Sequence, residues 1–453
     1  MTPPSVPPPA PPPPGPSRRR MLGSVAGLGA LAALAAGGCA APSGAGSGQT
    51  RLRYWHLFGG GDGANMVAML DAFQREHPDV DLQAATLSWG APYYTKLGMA
   101  GAGGRAPEVA AMHLARLAGF APGRLLDPFD LDLLARHGIT EADFPQDLWR
   151  RGMVDGELYA IPLDTHPLVL YYNTDICERA GLLDADGRLR PIEGADAFAE
   201  AMRAAGEVTG RPGMVAETLG ADTIGPWRMF NAFYAQTGGQ LLTDDGTRIA
   251  IDDAKALTVL DYMRRLTHEG LCVERADYPG AVGIFAAGET GFFINGEWEV
   301  TTYTNTGLPF SMARIPNLFG TAATQADCHA FVLPHQTGRG GASNEAAHAF
   351  VAWMLRHSVD WAAGGHVPAY LPTLEEPEYL AMRPQSEYRA VIDEVVLDPR
   401  VWFAGSASPL WLELGAVFSG VLLGTRTPEG ALAEARSRLQ DLLDTPSPFG
   451  ETA

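Results

Sequence analysis

The sequence predicts an α/β protein of two lobes, each a mostly parallel sheet flanked by helices, joined by hinge segments. Three observations carry this. Residues 51–89 run strand, glycine loop, helix, strand, the pattern of a parallel sheet with a crossover helix. Residues 155–173, DGELYAIPLDTHPLVLYYN, leave one apolar run at Pro162 and enter another at Pro167. The two prolines forbid a helix between them, which suits a chain passing from one lobe to a second. Finally, 453 residues at 46% apolar content can build more than one core.

Residues 1–38 read as an export signal. Met1 to Pro16 is mostly proline, too stiff and too poor in core-forming residues to fold. Ser17-Arg18-Arg19-Arg20-Met21-Leu22-Gly23 resembles a twin-arginine signal, with Met21 where phenylalanine is usual. The apolar stretch Met21 to Ala36 is sixteen residues. That is short of the roughly 20 that span a bilayer, so a signal is expected rather than a membrane helix. Ala36-Gly37-Gly38-Cys39 resembles a lipobox, with Ala36 in place of leucine. Cys39 would then be acylated and hold the mature protein at the membrane surface, simple cleavage being the alternative. Residues 39–50, rich in Gly, Ser and Ala, are expected to be a flexible tether.

The mature chain opens with a strand at Leu52-Arg53-Tyr54-Trp55, a loop at Phe58 to Gly63, and a helix carrying Met66, Leu70 and Phe73 at i, i+4 and i+7. His77-Pro78 ends it, and Val80, Leu82 and Ala84 alternate toward Trp89 as a second strand. Gly59-x-Gly61-x-x-Ala64 formally matches a dinucleotide fingerprint, but Ser88-Trp89 stand where the ribose-binding acid belongs. The loop is either a plain strand-to-helix turn or a set of N–H groups aimed at a polar ligand, with His56 and Phe58 beside it. Tyr93, Tyr94 and Leu97 lead a helix that breaks at Gly101 to Gly104. Beyond the first crossing come a helix at 197–205, an aromatic stretch from Thr223 to Gly239, a helix around Tyr262 and Leu266, and a buried strand before Trp298. The chain is expected back in the first lobe near Phe310 to Pro316, then Phe331 to Pro334 and a helix at 346–357 follow. A third crossing is expected at Gly364 to Ala369. The lobes are thus 51–163 with 315–367, and 166–312 with 370–453.

Several of these segments share an order with one family. Gly156-Glu157-Leu158-Tyr159-Ala160-Ile161-Pro162, then Leu170-Tyr171-Tyr172-Asn173-Thr174-Asp175 and Ala180-Gly181-Leu182, resembles the crossing segment of family 1 extracellular solute-binding proteins, the sugar-binding subunits of bacterial ABC importers. Pro107-Glu108-Val109, Gly123 to Pro128, Gly288 to Trp298 and Gly364 to Pro368 add to it, so the resemblance spans about Leu52 to Leu442. It implies a periplasmic-binding-protein-like fold, a sugar ligand, ABC importer membrane subunits as partner, and a tryptophan at position 298 that stacks on sugar.

A pyranose offers apolar C–H faces and hydroxyl edges, so its site needs aromatic plates and polar hydrogen-bonding groups. Trp55, Trp89, Trp227, Trp298 and Tyr370 fall at expected strand ends or crossing loops, with Trp227 and Trp298 singled out by the resemblance. His56, Phe58, His166, Arg228, Asn295 and Glu297 are the accompanying candidates; Trp353 and Trp361 belong to the core. Neither Gly-x-Ser-x-Gly nor His-Glu-x-x-His occurs, and no catalytic residue is expected. Glu297 and Glu299, on an extended strand, would share a face with no room for a sugar between them. His329 and His335 flank a strand in no metal-binding pattern, so neither metal nor cofactor is expected. Cys177, Cys272 and Cys328 read as small buried hydrophobes, one disulfide being open after export. A net charge of −19 with no basic stripe argues against nucleic acid. The expectation is a monomeric, lipid-anchored or periplasmic carbohydrate-binding protein. Twin-arginine routes carry prefolded proteins, so an exported cofactor-bearing oxidoreductase acting on sugars is the alternative.

Overall fold

Fifteen strands and their connecting helices make up the described residues of this computed structural model, 49–219 and 224–448. The export and lipidation motifs, Cys39 included, lie outside them. In chain order the strands are β1 (Thr50–His56), β2 (Val80–Thr86), β3 (Val109–His113), β4 (Leu126–Asp127), the hairpin β5 (Met153–Val154) and β6 (Glu157–Leu158), β7 (Ala160–Pro162) and β8 (Asp164–Asn173). There follow β9 (Met214–Val215), β10 (Phe292–Gly296), β11 (Phe310–Ala313), β12 (Thr324–Asp327), β13 (His329–Pro334), β14 (Val367–Pro368) and β15 (Val395–Leu397). A six-stranded sheet runs β2-β1-β3-β13-β4 with β7 also on β13, and a seven-stranded sheet runs β15-β12-β8-β10-β9 with β11 and β14 also on β8.

Both sheets are mixed rather than mostly parallel. Strands joined by crossover helices are parallel, as β1 is to β2 and β3. Every antiparallel pairing within the two sheets involves β8 or β13, the strands that arrive from the other lobe. A strand entering from a crossing runs against its neighbours, which the local pattern of each strand does not encode.

Residues of β8 alternate between two cores. Leu168, Leu170 and Tyr172 join Phe198, Trp227, Phe230 and Trp411 on one face, while Val169 and Tyr171 join Phe285, Phe293 and Tyr303 on the other. Burial on both faces explains the unbroken apolar run, each such side chain contributing about 1.5–3 kcal/mol. In the first lobe Leu52 and Tyr54 of β1 pack with Met66, Leu70 and Phe73 of the Gly61–Glu76 helix and with Phe331, Phe350 and Trp353.

The first crossing is shorter than expected. β8 already begins at Asp164 and runs through Pro167, which pairs with Ala326 at a position where no N–H is required. The second crossing is later than expected: β11 and β12 both still pair with β8, Ile315 and Leu318 lie in the second core, and the chain returns at Cys328, between β12 and β13. The apolar run at 310–316 marks a further strand of the second sheet. All three crossings lie side by side: the Leu163 N–H donates to the His329 carbonyl at 2.7 Å, and the Leu163 carbonyl accepts from the Ala369 N–H at 3.0 Å. The tether is also shorter, since Thr50 is paired with Val80 and Gln49 donates to the Pro78 carbonyl at 2.7 Å. Cys177, Cys272 and Cys328 are free and buried, and burial pushes the first two thiols up to about 12. No described helix is long and apolar enough to cross a membrane.

Candidate functional site

A cavity of about 770 Å³ lies between the two sheets. On the first-lobe side it is walled by the ends of three strands, with Leu57 and Gly59 after β1, Thr86 to Trp89 at and after β2, and His113 closing β3. Ligands of open α/β sheets collect beyond such strand ends. The second lobe contributes Ile224 and Arg228, one turn apart on the Ile224–Gln236 helix, with Tyr278, Trp298 and Glu299. His166 and His329 come from the crossing strands β8 and β13.

The second-lobe wall is organised by one hydroxyl. Tyr278 O–H donates to Glu299 Oε1 while its oxygen accepts from Trp298 Nε1 at 2.6 Å and Asn295 Nδ2 at 3.5 Å. Asp277, also on the cavity wall, caps the helix that carries Tyr278 by accepting from Gly280 N–H at 2.9 Å. The Trp298 indole folds back over Gly296, where a Cβ would stand 1.8 Å from the ring. Glycine is therefore required for the tryptophan to hold this pose. Glu297 to Glu299 form a 3₁₀ turn and not an extended strand, so the two acids diverge: Glu297 is wholly buried beside His366, and Glu299 faces the cavity.

The Arg228 guanidinium lies between two indoles, 4.7 Å from the Trp298 ring centroid and 4.9 Å from that of Trp411. Against this one arginine the wall sets the carboxylates of Asp62, Glu217, Asp277 and Glu299. Burial, followed by neighbouring cationic groups, holds the His113 imidazole well below its ordinary pKa, and burial carries His166 down to about 3. Both rings are neutral at pH 7 and present nitrogen donors or acceptors without charge. Behind them Asp164, wholly buried, accepts from His166 Nδ1 at 3.0 Å, His329 Nδ1 at 2.8 Å and Trp361 Nε1 at 2.7 Å. Stacked at 4.0 Å, His166 and His329 are thus oriented from behind by one carboxylate.

Of the residues singled out in the sequence, Trp89, His166, Arg228 and Trp298 come together on this wall. The others lie elsewhere. Trp227 is 0% exposed in the second core, because adjacent helical residues point about 100° apart and Arg228 takes the cavity-facing position. His56 and Phe58 stack on one another at 5.5 Å in the first lobe, with Leu57 between them on the wall. Trp55 stays half-buried under the Lys96 ammonium, 5.0 Å above its ring. Tyr370 packs on Phe144 in the first core, and Asn295 and Glu297 act behind the wall. Residues passed over include Asp62, His113, Glu217, Tyr278 and His329. Of these only His329 carried a local signal, at the head of an apolar strand.

A sequence model described as bacterial extracellular solute-binding protein matches residues 59–360. The arabinooligosaccharide-binding protein of Bacillus subtilis (strain 168) is 29% identical over 230 residues, which is 48% of this chain and 50% of that protein. The chain thus matches about half the length of that curated relative. Among solved structures, the GacH receptor of Streptomyces glaucescens GLA.O, determined unliganded and with acarbose, superposes with a TM-score of 0.74 at 19% identity, covering 87% of this chain and 98% of its own. Maltose-bound MalE3 of T. maritima gives 0.74 at 19% identity, covering 87% and 100%. At such identities the structural likeness establishes the two-lobed fold.

Proposed function

The chain belongs to the bacterial extracellular solute-binding proteins, and from that premise we propose that it captures a carbohydrate or related polyol between its lobes and delivers it to the membrane subunits of an ABC importer. The observation that carries this is the wall itself, where the Trp89 and Trp298 rings stand among neutral imidazoles and carboxylates. Such a mixture suits C–H faces and hydroxyl edges. Four wall carboxylates against one arginine already held between two indoles favour a neutral or basic glycan over an anionic one. A glycerol phosphodiester fits this wall poorly. The relative named for arabinooligosaccharide and the solved structures holding acarbose and maltose carry ligands of the favoured kind.

Ligand contacting both lobes stabilises the closed arrangement, and that arrangement is what an importer would recognise. Export through the Arg18-Arg19-Arg20 signal, anchoring through Cys39 and a monomeric state complete the reading. The oxidoreductase alternative draws no support from the family match. The test is a thermal-shift screen of neutral, amino and phosphorylated sugars, with small-angle scattering on any hit. A neutral or amino glycan is expected to raise the melting temperature and compact the particle. Stabilisation by phosphorylated sugars alone, or turnover of any glycan, overturns the reading.

A further inference from the structure

Asp164 and His166 on β8, His329 at the head of β13 and His366 just before β14 bring the three crossings together, and each offers one ligand atom to a set lying within 4.8 Å of one another. All four are buried, His329 the most exposed at 5%. We propose that this cluster binds one divalent transition-metal ion, zinc fitting best, which fastens the three crossings to one another.

The donor set suits such an ion. Three imidazoles and a carboxylate make a four-coordinate nitrogen and oxygen site of the kind zinc prefers. Bonds of about 2.0–2.2 Å place tetrahedral ligand atoms roughly 3.3 Å apart, so the set closes on an ion by shifts of about an ångström.

Charge balance favours an ion as well. Asp164 and Glu297 are both 0% exposed, and His366 is the ring that meets both, its Nδ1 lying 3.3 Å from Asp164 Oδ2 and 3.0 Å from Glu297 Oε1. One imidazolium balances one of these carboxylates. A divalent ion balances both, with all three imidazoles neutral.

Bonding capacity around the cluster is also left unmet. Both ring nitrogens of His366, both carboxylate oxygens of Glu297 and Nε2 of His166 have no aligned hydrogen-bond partner. The short His366 to Glu297 contact is a charge contact out of line for a hydrogen bond. Each such buried group costs about 1–3 kcal/mol when left unmade, and an ion within the ring of imidazoles supplies a partner to one ring nitrogen of each histidine, Glu297 lying outside the donor set. Outer contacts are in place as well: Trp361 Nε1 at 2.7 Å and the His329 N–H at 2.8 Å fix the Asp164 carboxylate.

The test uses the full chain without an affinity tag of histidines, stripped with chelator, loaded with Zn²⁺, desalted and assayed for metal with no sugar present. One ion per chain is expected in the wild type and in His137→Gln/His335→Gln, whose rings lie at the surface, and none in His329→Gln/His366→Gln. Co²⁺ loading of the wild type is expected to give the intense visible bands of a four-coordinate ion, a readout that stands even where the double variant does not fold. No retained zinc, a weak six-coordinate cobalt spectrum, or zinc retained by the His329→Gln/His366→Gln variant overturns the proposal, and none of these bears on whether a glycan binds.

Discussion

The Tyr278 hydroxyl serves three side chains at once, so its removal is felt beyond its own contact. Tyr278→Phe leaves the Trp298 indole N–H and Glu299 Oε1 without their partner, a loss of about 1–3 kcal/mol if it falls on the ligand-bound form. The expected outcome is a glycan Kd raised about 5-fold to 150-fold by titration calorimetry, with the melting temperature of the free protein little changed; an unaltered Kd would show that the clamp does not orient Trp298. At this scale some of the sequence's candidates miss the wall by a single residue. Leu57, not His56 or Phe58, reaches the wall, and Arg228, not Trp227. A strand reverses its facing at each residue and a helix turns by about 100°, so an unknown register of one position exchanges core for cavity. Tyr278 and Glu217 had no pattern around them at all, because side chains from distant segments meet only in the fold.

Helices and loops were easier to read than the contacts between them. The strand-loop-helix-strand opening stands as expected, and within the glycine loop close packing accounts for Gly61. A Cβ at Gly61 would lie 2.7 Å from Thr302 Oγ1 and 2.9 Å from the Trp298 carbonyl, whereas one at Gly59 would meet nothing within 4 Å. Gly61 is thus what lets the Gly61–Glu76 helix come up against the Val300–Thr306 helix, where Thr301 Oγ1 donates to Asn65 Oδ1 at 2.8 Å. Gly61→Ala should cost about 1–3 kcal/mol, since backbone atoms must shift to admit the methyl group. Gly59→Ala should stay within about 0.5 kcal/mol of wild type. Urea midpoints of the two variants check this, and equal midpoints would discount the close approach. The crossings were harder still. A proline pair marked the first, but the second turns at Cys328 inside a polar stretch with no proline or glycine to announce it.

Stability of the whole molecule carries a pH signature that net charge does not reveal. Asp398 is buried, Gly405 N–H and the Trp411 indole bond to one of its oxygens, the other has no partner, and burial with Asp327 nearby pushes its carboxyl up to about 7. Between the unfolded value of about 3.9 and about pH 7 the folded chain holds a proton that the unfolded chain has lost, so this group's contribution falls as pH rises and levels off above about 7. Its size is on the order of a few kcal/mol. Melting scans from pH 5 to 8 should show wild type losing stability relative to Asp398→Asn up to about pH 7 and no further above it; a difference between the two that stays constant over this range would assign the effect elsewhere. Two lobes were legible because 453 residues and an early parallel unit demand them; the mixed sheets were not, since strand direction depends on which lobe the chain has just left. The three crossings bonded edge to edge at Leu163 also constrain mechanics. One thread would let the halves swivel and slide, but a band three backbones wide resists stretch and shear along its length while still yielding to torsion. Relative motion is thereby channelled into a single angular coordinate, and a docking partner gripping the outer faces meets one geometry per state instead of a spread of poses.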